Sequence, residues 1–189
     1  DITERKRLEQ EVTHLAFFDS LTQLPNRRLF NDRLGQAVKR AQRTSSSLAL
    51  MFVDLDKFKP VNDTYGHAAG DFMLQTVAKR LSGCLRASDT AARVGGDEFL
   101  VLLPDVAPGA DALAVAEKIR SALAEPCISP EGIELCISAS IGIAIYPEHA
   151  RSEHELLRLG DRAMYEAKSA GGNRVKLFSP EDGAGHSAA

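Results

Sequence analysis

The sequence lacks several features that would place it in a specialised class of protein. Its formal net charge is only −3 over 189 residues, so it has no basic excess of the kind that nucleic-acid binding needs. The longest apolar run, Leu48 to Val53, is too short to cross a bilayer, and the N-terminus has no signal-peptide pattern. We therefore expect a cytoplasmic domain without nucleic-acid or direct membrane contact, whether or not its parent protein is membrane-anchored.

Cysteine is scarce, and internal repeats and low-complexity segments are missing. The three cysteines, Cys84, Cys127 and Cys136, are odd in number and show no CxxC spacing, which favours buried free thiols over disulfides or a metal site. What is present, 44% hydrophobic and 26% charged residues in a chain of this length, is typical of one soluble globular domain with its own core. Because the chain does not begin with methionine, we expect it to be a piece of a longer protein.

The chain divides into three segments. Residues 1–18 form an N-terminal signalling or linker helix, 19–178 form the main domain, and 179–189 form a C-terminal tail that we expect to be disordered. In the first segment Leu8, Val12 and Leu15 follow one helical face as a heptad fragment. Two interpretations remain open: this helix lies on its own domain, or it pairs in parallel with a second copy.

The main domain alternates helices with strands. Asn26 is a suitable N-cap for the first of its helices. We predict helices at 27–43, 69–86, 110–124 and 153–169, a hairpin of 90–94 with 98–103, a second strand pair of 133–138 with 141–146, and further strands at 47–55 and 174–178. The pattern predicts an α+β fold in which helices flank one mixed central β-sheet.

One candidate site is the hairpin turn around Gly95 and Gly96. Adjacent glycines can adopt positive φ and let the backbone approach a ligand, and Asp97 and Glu98 place two carboxylates at the turn. Taken alone, this is an acidic, solvated turn.

The strand at 47–55 ends in carboxylates. An uncompensated carboxylate at Asp54 would cost several kcal/mol, so it needs a cation or strong donors. If the strand lies beside the hairpin, Asp54, Asp97 and Glu98 converge, and such hard oxygen ligands suit Mg²⁺ (or Mn²⁺) bound together with phosphates. The alternative is that Asp54 or Asp56 caps the following turn.

A third candidate is Lys168, in the last turn of the helix at 153–169. It is either a phosphate ligand or a cation that offsets the helix dipole.

Four segments, in this order, resemble the GGDEF family of diguanylate cyclases. They are Asp19 to Arg27, Asp54 to Asp71, Gly95 to Phe99, whose letters spell the family name, and Asp161 to Asn173. The resemblance runs from Asp19 to about Val175, over four fifths of the chain. It implies a fold like the palm of nucleotidyl cyclases, and it implies the condensation of two GTP into cyclic di-GMP and pyrophosphate.

The resemblance also implies residue roles. Metal ions would be held by Asp54, the Leu55 carbonyl, Asp97 and Glu98, and either Asp97 or Glu98 would take the proton of the attacking 3′-hydroxyl. The substrate would be bound by Asn62 and Asp71 at the guanine edge, by Phe58, Lys59 and His67 in the nucleotide pocket, by Lys59 and Lys168 near the phosphates, and by the Gly95 and Gly96 backbone. Arg86 and Asp89 match the family's RxxD site for inhibition by product. Many members carry Arg or Lys where this chain has Gly172, so one phosphate contact is expected to be missing.

The implied partners follow from the implied reaction. Because each domain holds one GTP, the family reacts two of them across a homodimer, which favours the pairing interpretation of the N-terminal helix. Asp1 to Lys6 also resembles the closing residues of a PAS sensor domain. Two rival interpretations are a catalytically silent domain that binds GTP or cyclic di-GMP as a regulatory module, and a regulatory domain fused to a phosphodiesterase.

Overall fold

A five-stranded sheet forms the centre of the computed structural model, which describes residues 1–107 and 110–183. The helices are α1 (Ile2–Phe17), α2 (Arg27–Thr44), α3 (Phe58–Tyr65), α4 (His67–Cys84), α5 (Ala110–Ala124) and α6 (Glu153–Ser169). The strands are β1 (Leu48–Asp56), β2 (Thr90–Arg93), β3 (Glu98–Pro104), β4 (Cys127–Ile128), β5 (Glu134–Leu135), β6 (Ser138–Tyr146) and β7 (Arg174–Leu177).

The sheet has the order β2-β3-β1-β6-β7, and only the β6–β7 pair is parallel. The predicted mixed sheet flanked by helices is therefore confirmed. Strands β4 and β5 form a separate two-stranded ribbon.

Strand β1 lies in the middle of the sheet and is buried on both faces. Met51, Val53 and Leu55 point into the core formed with α4 and α5, and Leu50 and Phe52 point into the core formed with α2 and α6. The alternation of side chains along a strand places Asp54 and Asp56 on the same face as Phe52. Both carboxylates therefore lie on the side of the sheet that α6 covers.

Helix α6 crosses β6 at Gly142. A side chain at that position would collide with the backbone of Met164 and of Gly160, so the helix and strand pack backbone to backbone. This close crossing directs the last turn of α6 towards the end of β1.

Two predicted elements differ from the structure. The polar segment after β1 contains a short helix, α3. The predicted pairing of 133–138 with 141–146 is wrong: β5 pairs with β4, and β6 is one continuous strand between β1 and β7. Ala139 and Ser140, expected to form the turn, are fully buried and extended opposite Leu55 and Asp54, because a central strand must pair on both sides.

Smaller expectations have mixed outcomes. Asn26 caps α2 as predicted, accepting a hydrogen bond from the Leu29 amide at 3.1 Å. All three cysteines are free as predicted, but none is fully buried: Cys84 and Cys127 are half-buried, and Cys136 is exposed because it follows the short β5 at the edge of the ribbon. Residues Pro180–Gly183, predicted to belong to a disordered tail, form a 3-10 turn instead, and residues 184–189 lie outside the described residues.

Helix α1 buries none of its residues against the domain. Leu8, Val12 and Leu15 are 50%, 66% and 58% exposed, so the interpretation in which this apolar face lies on its own domain is wrong. Among residues 1–107 and 110–183, no helix is long and apolar enough to cross a bilayer.

Candidate active site

The β1–β3 pairing places the acidic residues of the two predicted segments side by side. Asp54 lies directly opposite Glu98 in the register, and the Leu55 amide donates a hydrogen bond to the Asp97 carbonyl at 3.2 Å. Asp97 and Glu98 are half-buried at the start of β3. One edge of the sheet thus carries three carboxylates from two distant parts of the chain.

The hairpin loop is one residue longer than the two-residue Gly-Gly turn that the sequence suggests. The Val94 amide donates to the Glu98 carbonyl at 3.0 Å, which leaves three residues in the loop. Gly95 and Gly96 do not adopt positive φ, contrary to expectation. Gly95 is needed for a different reason: a Cβ there would lie 3.1 Å from Oε2 of Glu98, so its absence leaves room for that carboxylate.

Asp54 is the least exposed of these carboxylates, at 8%. The ammonium of Lys168 lies 2.7 Å from its Oδ1, yet Oδ1 accepts no directional hydrogen bond. Burial raises the pKa of Asp54, and the charges of Asp97 and Glu98 raise it further, against the lowering effect of Lys168. Lys168 therefore pairs with Asp54 rather than simply offsetting its own helix dipole.

This arrangement fits a divalent cation. A buried, incompletely satisfied carboxylate oxygen beside two further carboxylates supplies the hard ligands that Mg²⁺ and Mn²⁺ prefer. Within the part of the chain that the structure describes, no group of three or more His, Cys, Asp or Glu side chains is placed to hold a metal ion by itself. Protein carboxylates here would hold a metal only together with other oxygens, as Mg²⁺ bound to substrate phosphates requires.

Asp56, by contrast, is fully engaged in structure. Its carboxylate accepts hydrogen bonds from the Ser138 hydroxyl at 2.7 Å, the Ser140 hydroxyl at 2.7 Å and the Asn173 amide at 2.8 Å. Of the two carboxylates at the end of β1, Asp56 anchors the loop between α6 and β7, and Asp54 is left for other chemistry.

Gly172 lies against the Asp56 carboxylate. Its φ is +72°, in the left-handed region, and a Cβ would be 3.0 Å from the carboxyl atoms of Asp56. The nearby Arg174 guanidinium turns back on this loop and donates to the Gly172 carbonyl at 3.1 Å. A larger side chain at 172 would therefore be strained and crowded.

The segment that resembles the nucleotide pocket is built by α3 and α4. A side chain at Gly70 would collide with Oδ1 of Asn62 and lie 3.2 Å from the ring of Phe58. Gly70 therefore lets Asn62 pack directly on α4, next to Asp71. Sequence reasoning missed Gly70, although a glycine inside a helical pattern is a signal for close packing.

Three other residues of this segment have exposed side chains that are accessible to a ligand. They are Lys59, His67 and Asp71. Phe58 is half-buried beneath them. The structure thus brings the predicted nucleotide-binding residues onto two adjoining helices that follow β1 directly.

Arg93 ties the hairpin turn to the first motif, and sequence reasoning missed it. Its Nε and Nη2 donate to the Gly96 carbonyl at 3.1 and 2.8 Å, and its Nη1 lies 3.1 Å from Oδ1 of Asp19. The Asp19 carboxylate also accepts hydrogen bonds from the amide and hydroxyl of Thr22. Burial alone would raise the pKa of Asp19, but these hydrogen bonds and the Arg93 charge outweigh it and lower the pKa.

Arg86 and Asp89 lie at the opposite end of β2 from the Gly-Gly turn. Asp89 Oδ2 accepts a 2.8 Å hydrogen bond from the Arg86 amide, and the Arg86 guanidinium pairs with Oδ1 at 3.3 Å. Asp89 lines an open groove of about 360 Å³ that is also lined by Arg33 and Arg40 of α2. Sequence reasoning missed these two arginines, which are seven residues apart and share a helical face.

Comparison with known proteins agrees with this geometry. The family model "Diguanylate cyclase, GGDEF domain" matches residues 16–174. The diguanylate cyclase TpbB of Pseudomonas aeruginosa is 48% identical over 165 residues, which is 86% of this chain but 38% of TpbB, so the chain spans well under half of that relative.

Solved structures show the same fold. The crystal structure of the TpbB GGDEF domain is 46% identical, with a TM-score of 0.82 and coverage of 84% of this chain and 98% of that one. The coiled coil and GGDEF domain of DgcB from Caulobacter crescentus, in complex with c-di-GMP, is 32% identical, with a TM-score of 0.83 and coverage of 93% and 92%. The chain therefore belongs to the GGDEF domain family.

Proposed function

We propose that this chain is a diguanylate cyclase domain, which joins two GTP into cyclic di-GMP and releases pyrophosphate. The observation that carries the proposal is the position of Asp54, buried at the end of β1, opposite Glu98 and beside Lys168. Membership of the family and the likeness to TpbB support the same reaction.

The metal ligands would be Asp54, the Leu55 carbonyl, Asp97 and Glu98. When bound, divalent cations neutralise charge on the attacking and leaving oxygens of an in-line displacement at the α-phosphate. Asp97 or Glu98 accepts the proton of the 3′-hydroxyl as its oxygen bonds to phosphorus.

Substrate recognition would come from α3 and α4. The Asp71 carboxylate accepts hydrogen bonds from the N1 and N2 donors of guanine, which adenine does not offer in that arrangement, and Asn62 supplies a second contact. Phe58 and His67 line the pocket, and Lys59 binds phosphate oxygens. The domain therefore prefers GTP.

Dimerisation would use α1. One domain supplies one GTP, so two copies must face each other, and the uncovered apolar face of Leu8, Val12 and Leu15 suits parallel pairing. An upstream sensor, of the PAS type suggested by residues 1–6, would set the geometry of the pair.

Product would bind at Arg86 and Asp89. The Arg86 guanidinium can form paired hydrogen bonds to guanine or phosphate, and Arg33 and Arg40 add positive charge to the groove that Asp89 lines. The complex of DgcB with c-di-GMP supports recognition of this product by the family.

The test is to incubate the chain with GTP and Mg²⁺ and to measure cyclic di-GMP by chromatography. We expect product from the wild type and a loss of about 10²–10⁴-fold in Glu98→Ala, the range for a lost acid-base group. Glu131→Ala, in the exposed turn between β4 and β5, is the matched control and keeps wild-type activity. If the wild type and both variants bind GTP but none of them makes cyclic di-GMP, the result would support the regulatory-module alternative instead.

A further inference from the structure

The ion pair between Lys168 and Asp54 lies at the site where the proposed function needs a metal. Lys168 Nζ is 2.7 Å from Oδ1, and the side chains are 35% and 11% exposed. This ammonium therefore supplies the positive charge that a buried carboxylate beside Asp97 and Glu98 requires.

We propose that Lys168 is a resident cation that makes metal binding depend on nucleotide. A divalent ion and an ammonium cannot both lie against the same carboxylate oxygen, because their like charges repel strongly at such short range. Lys168 has a flexible four-carbon chain, so its ammonium can leave Asp54 when the metal arrives. This inference rests on the metal role proposed for Asp54.

The displaced ammonium needs a new acceptor. Without nucleotide, Asp97 and Glu98 are themselves metal ligands, so the ammonium gains no equivalent partner and metal binds weakly. A bound triphosphate supplies anionic oxygens next to the metal, and the ammonium can pair with them. Metal and nucleotide therefore strengthen each other's binding. By linkage, the factor by which nucleotide raises the affinity for metal equals the factor by which metal raises the affinity for nucleotide.

Lys168 is held in place to perform this exchange. It lies in the last turn of α6, and α6 is fixed over the sheet by its close crossing at Gly142. The loop that follows α6 is anchored separately, by Asp56 to the Asn173 amide at 2.8 Å. The ammonium can thus move while the helix end and the loop stay in position.

The experiment measures free Mn²⁺ by electron paramagnetic resonance, with and without a GTP analogue that has a methylene group between the α- and β-phosphates. In the wild type we expect the analogue to tighten Mn²⁺ binding by about 5–150-fold, the usual range of coupling between sites. In Lys168→Gln we expect Mn²⁺ alone to bind at least about 5-fold more tightly and the coupling to shrink. Lys168→Arg keeps the charge and should restore weak binding of Mn²⁺ alone.

Lys57→Gln is the control, since Lys57 is exposed in the same region and the change removes the same charge. Unchanged or weaker Mn²⁺ binding in a folded Lys168→Gln protein would overturn the inference, as would equal effects of Lys57→Gln. The analogue cannot react, so the result does not depend on turnover. A wild type that makes no cyclic di-GMP yet shows this coupling would refute the cyclase proposal alone.

Discussion

Replacing Arg93 with alanine tests whether this side chain holds the hairpin turn in position through its contacts with Gly96 and Asp19. The change removes hydrogen bonds to the Gly96 carbonyl and an ion pair with Asp19 whose side chains are only 17% and 19% exposed. A hydrogen bond to a charged group contributes about 1.5–3 kcal/mol, and an unpaired, largely buried carboxylate adds to the loss. Thr22 still donates to Asp19, which limits the cost, so we expect a loss of about 3 kcal/mol in the free energy of unfolding.

For a domain of this size, that loss corresponds to a Tm lower by about 6–12 °C. Urea unfolding followed by circular dichroism measures the loss in the free energy of unfolding, with exposed Arg151→Ala as the control. A double-mutant cycle with Asp19→Asn should give a coupling of about 1–3 kcal/mol. Cyclic di-GMP formation should fall about 10²-fold at a temperature where the variant is folded, because a displaced turn misplaces Asp97 and Glu98. Stability within about 0.5 kcal/mol of wild type would refute the reasoning.

Three further predictions concern pH, product inhibition and pairing. The Ile145 amide donates to Nδ1 of His149 at 3.0 Å, and burial lowers the pKa of His149. The neutral form therefore contributes stability that is present above about pH 6.5 and is lost as pH falls below that value. In thermal unfolding, His149→Asn should flatten this acid limb and exposed His154→Asn should not. Arg86→Ala should relieve inhibition by added cyclic di-GMP while exposed Arg43→Ala does not, and unchanged inhibition would remove Arg86 from the product site. Fusion of a strong parallel coiled coil in heptad register before α1 should raise turnover per chain, and the absence of any response would count against pairing through α1.

The central sheet was largely predictable from the sequence. The continuous apolar stretch before Asp54 requires a strand buried on both faces, and the apolar β3 begins directly at Glu98. Once the two strands pair, their register brings the carboxylates together. Local patterns therefore identify the three carboxylates, and their convergence depends on the pairing of β1 with β3.

The short elements could not be predicted in the same way. Helix α3 carries Pro60, which discourages a helical interpretation, but a proline in the first turn loses no intrahelical hydrogen bond. The helix is stabilised by packing of Asn62 and Phe58 over Gly70, which depends on α4. Strands β4 and β5 have two residues each, too few to show a period.

The interactions that complete the site are long-range. Arg93 and Asp19 are 74 positions apart, and nothing local to either residue indicates the pair. The contact of Lys168 with Asp54 depends on the crossing of α6 at Gly142. Sequence patterns identified most of the proposed ligands, but the contacts that orient these ligands can be seen only in the folded structure.

The metal requirement of Asp54→Asn compared with that of Asp56→Asn tests the central claim most directly. We measure the Mg²⁺ concentration that gives half-maximal cyclic di-GMP formation, together with the free energy of unfolding. Asp54→Asn should raise that Mg²⁺ concentration at least about 10-fold. Asp56→Asn disturbs three structural hydrogen bonds, so it should lower the free energy of unfolding by about 1–3 kcal/mol and leave the Mg²⁺ concentration for half-maximal activity nearly unchanged. A wild-type Mg²⁺ requirement in Asp54→Asn would contradict the assignment of the carboxylate at the end of β1 to metal binding.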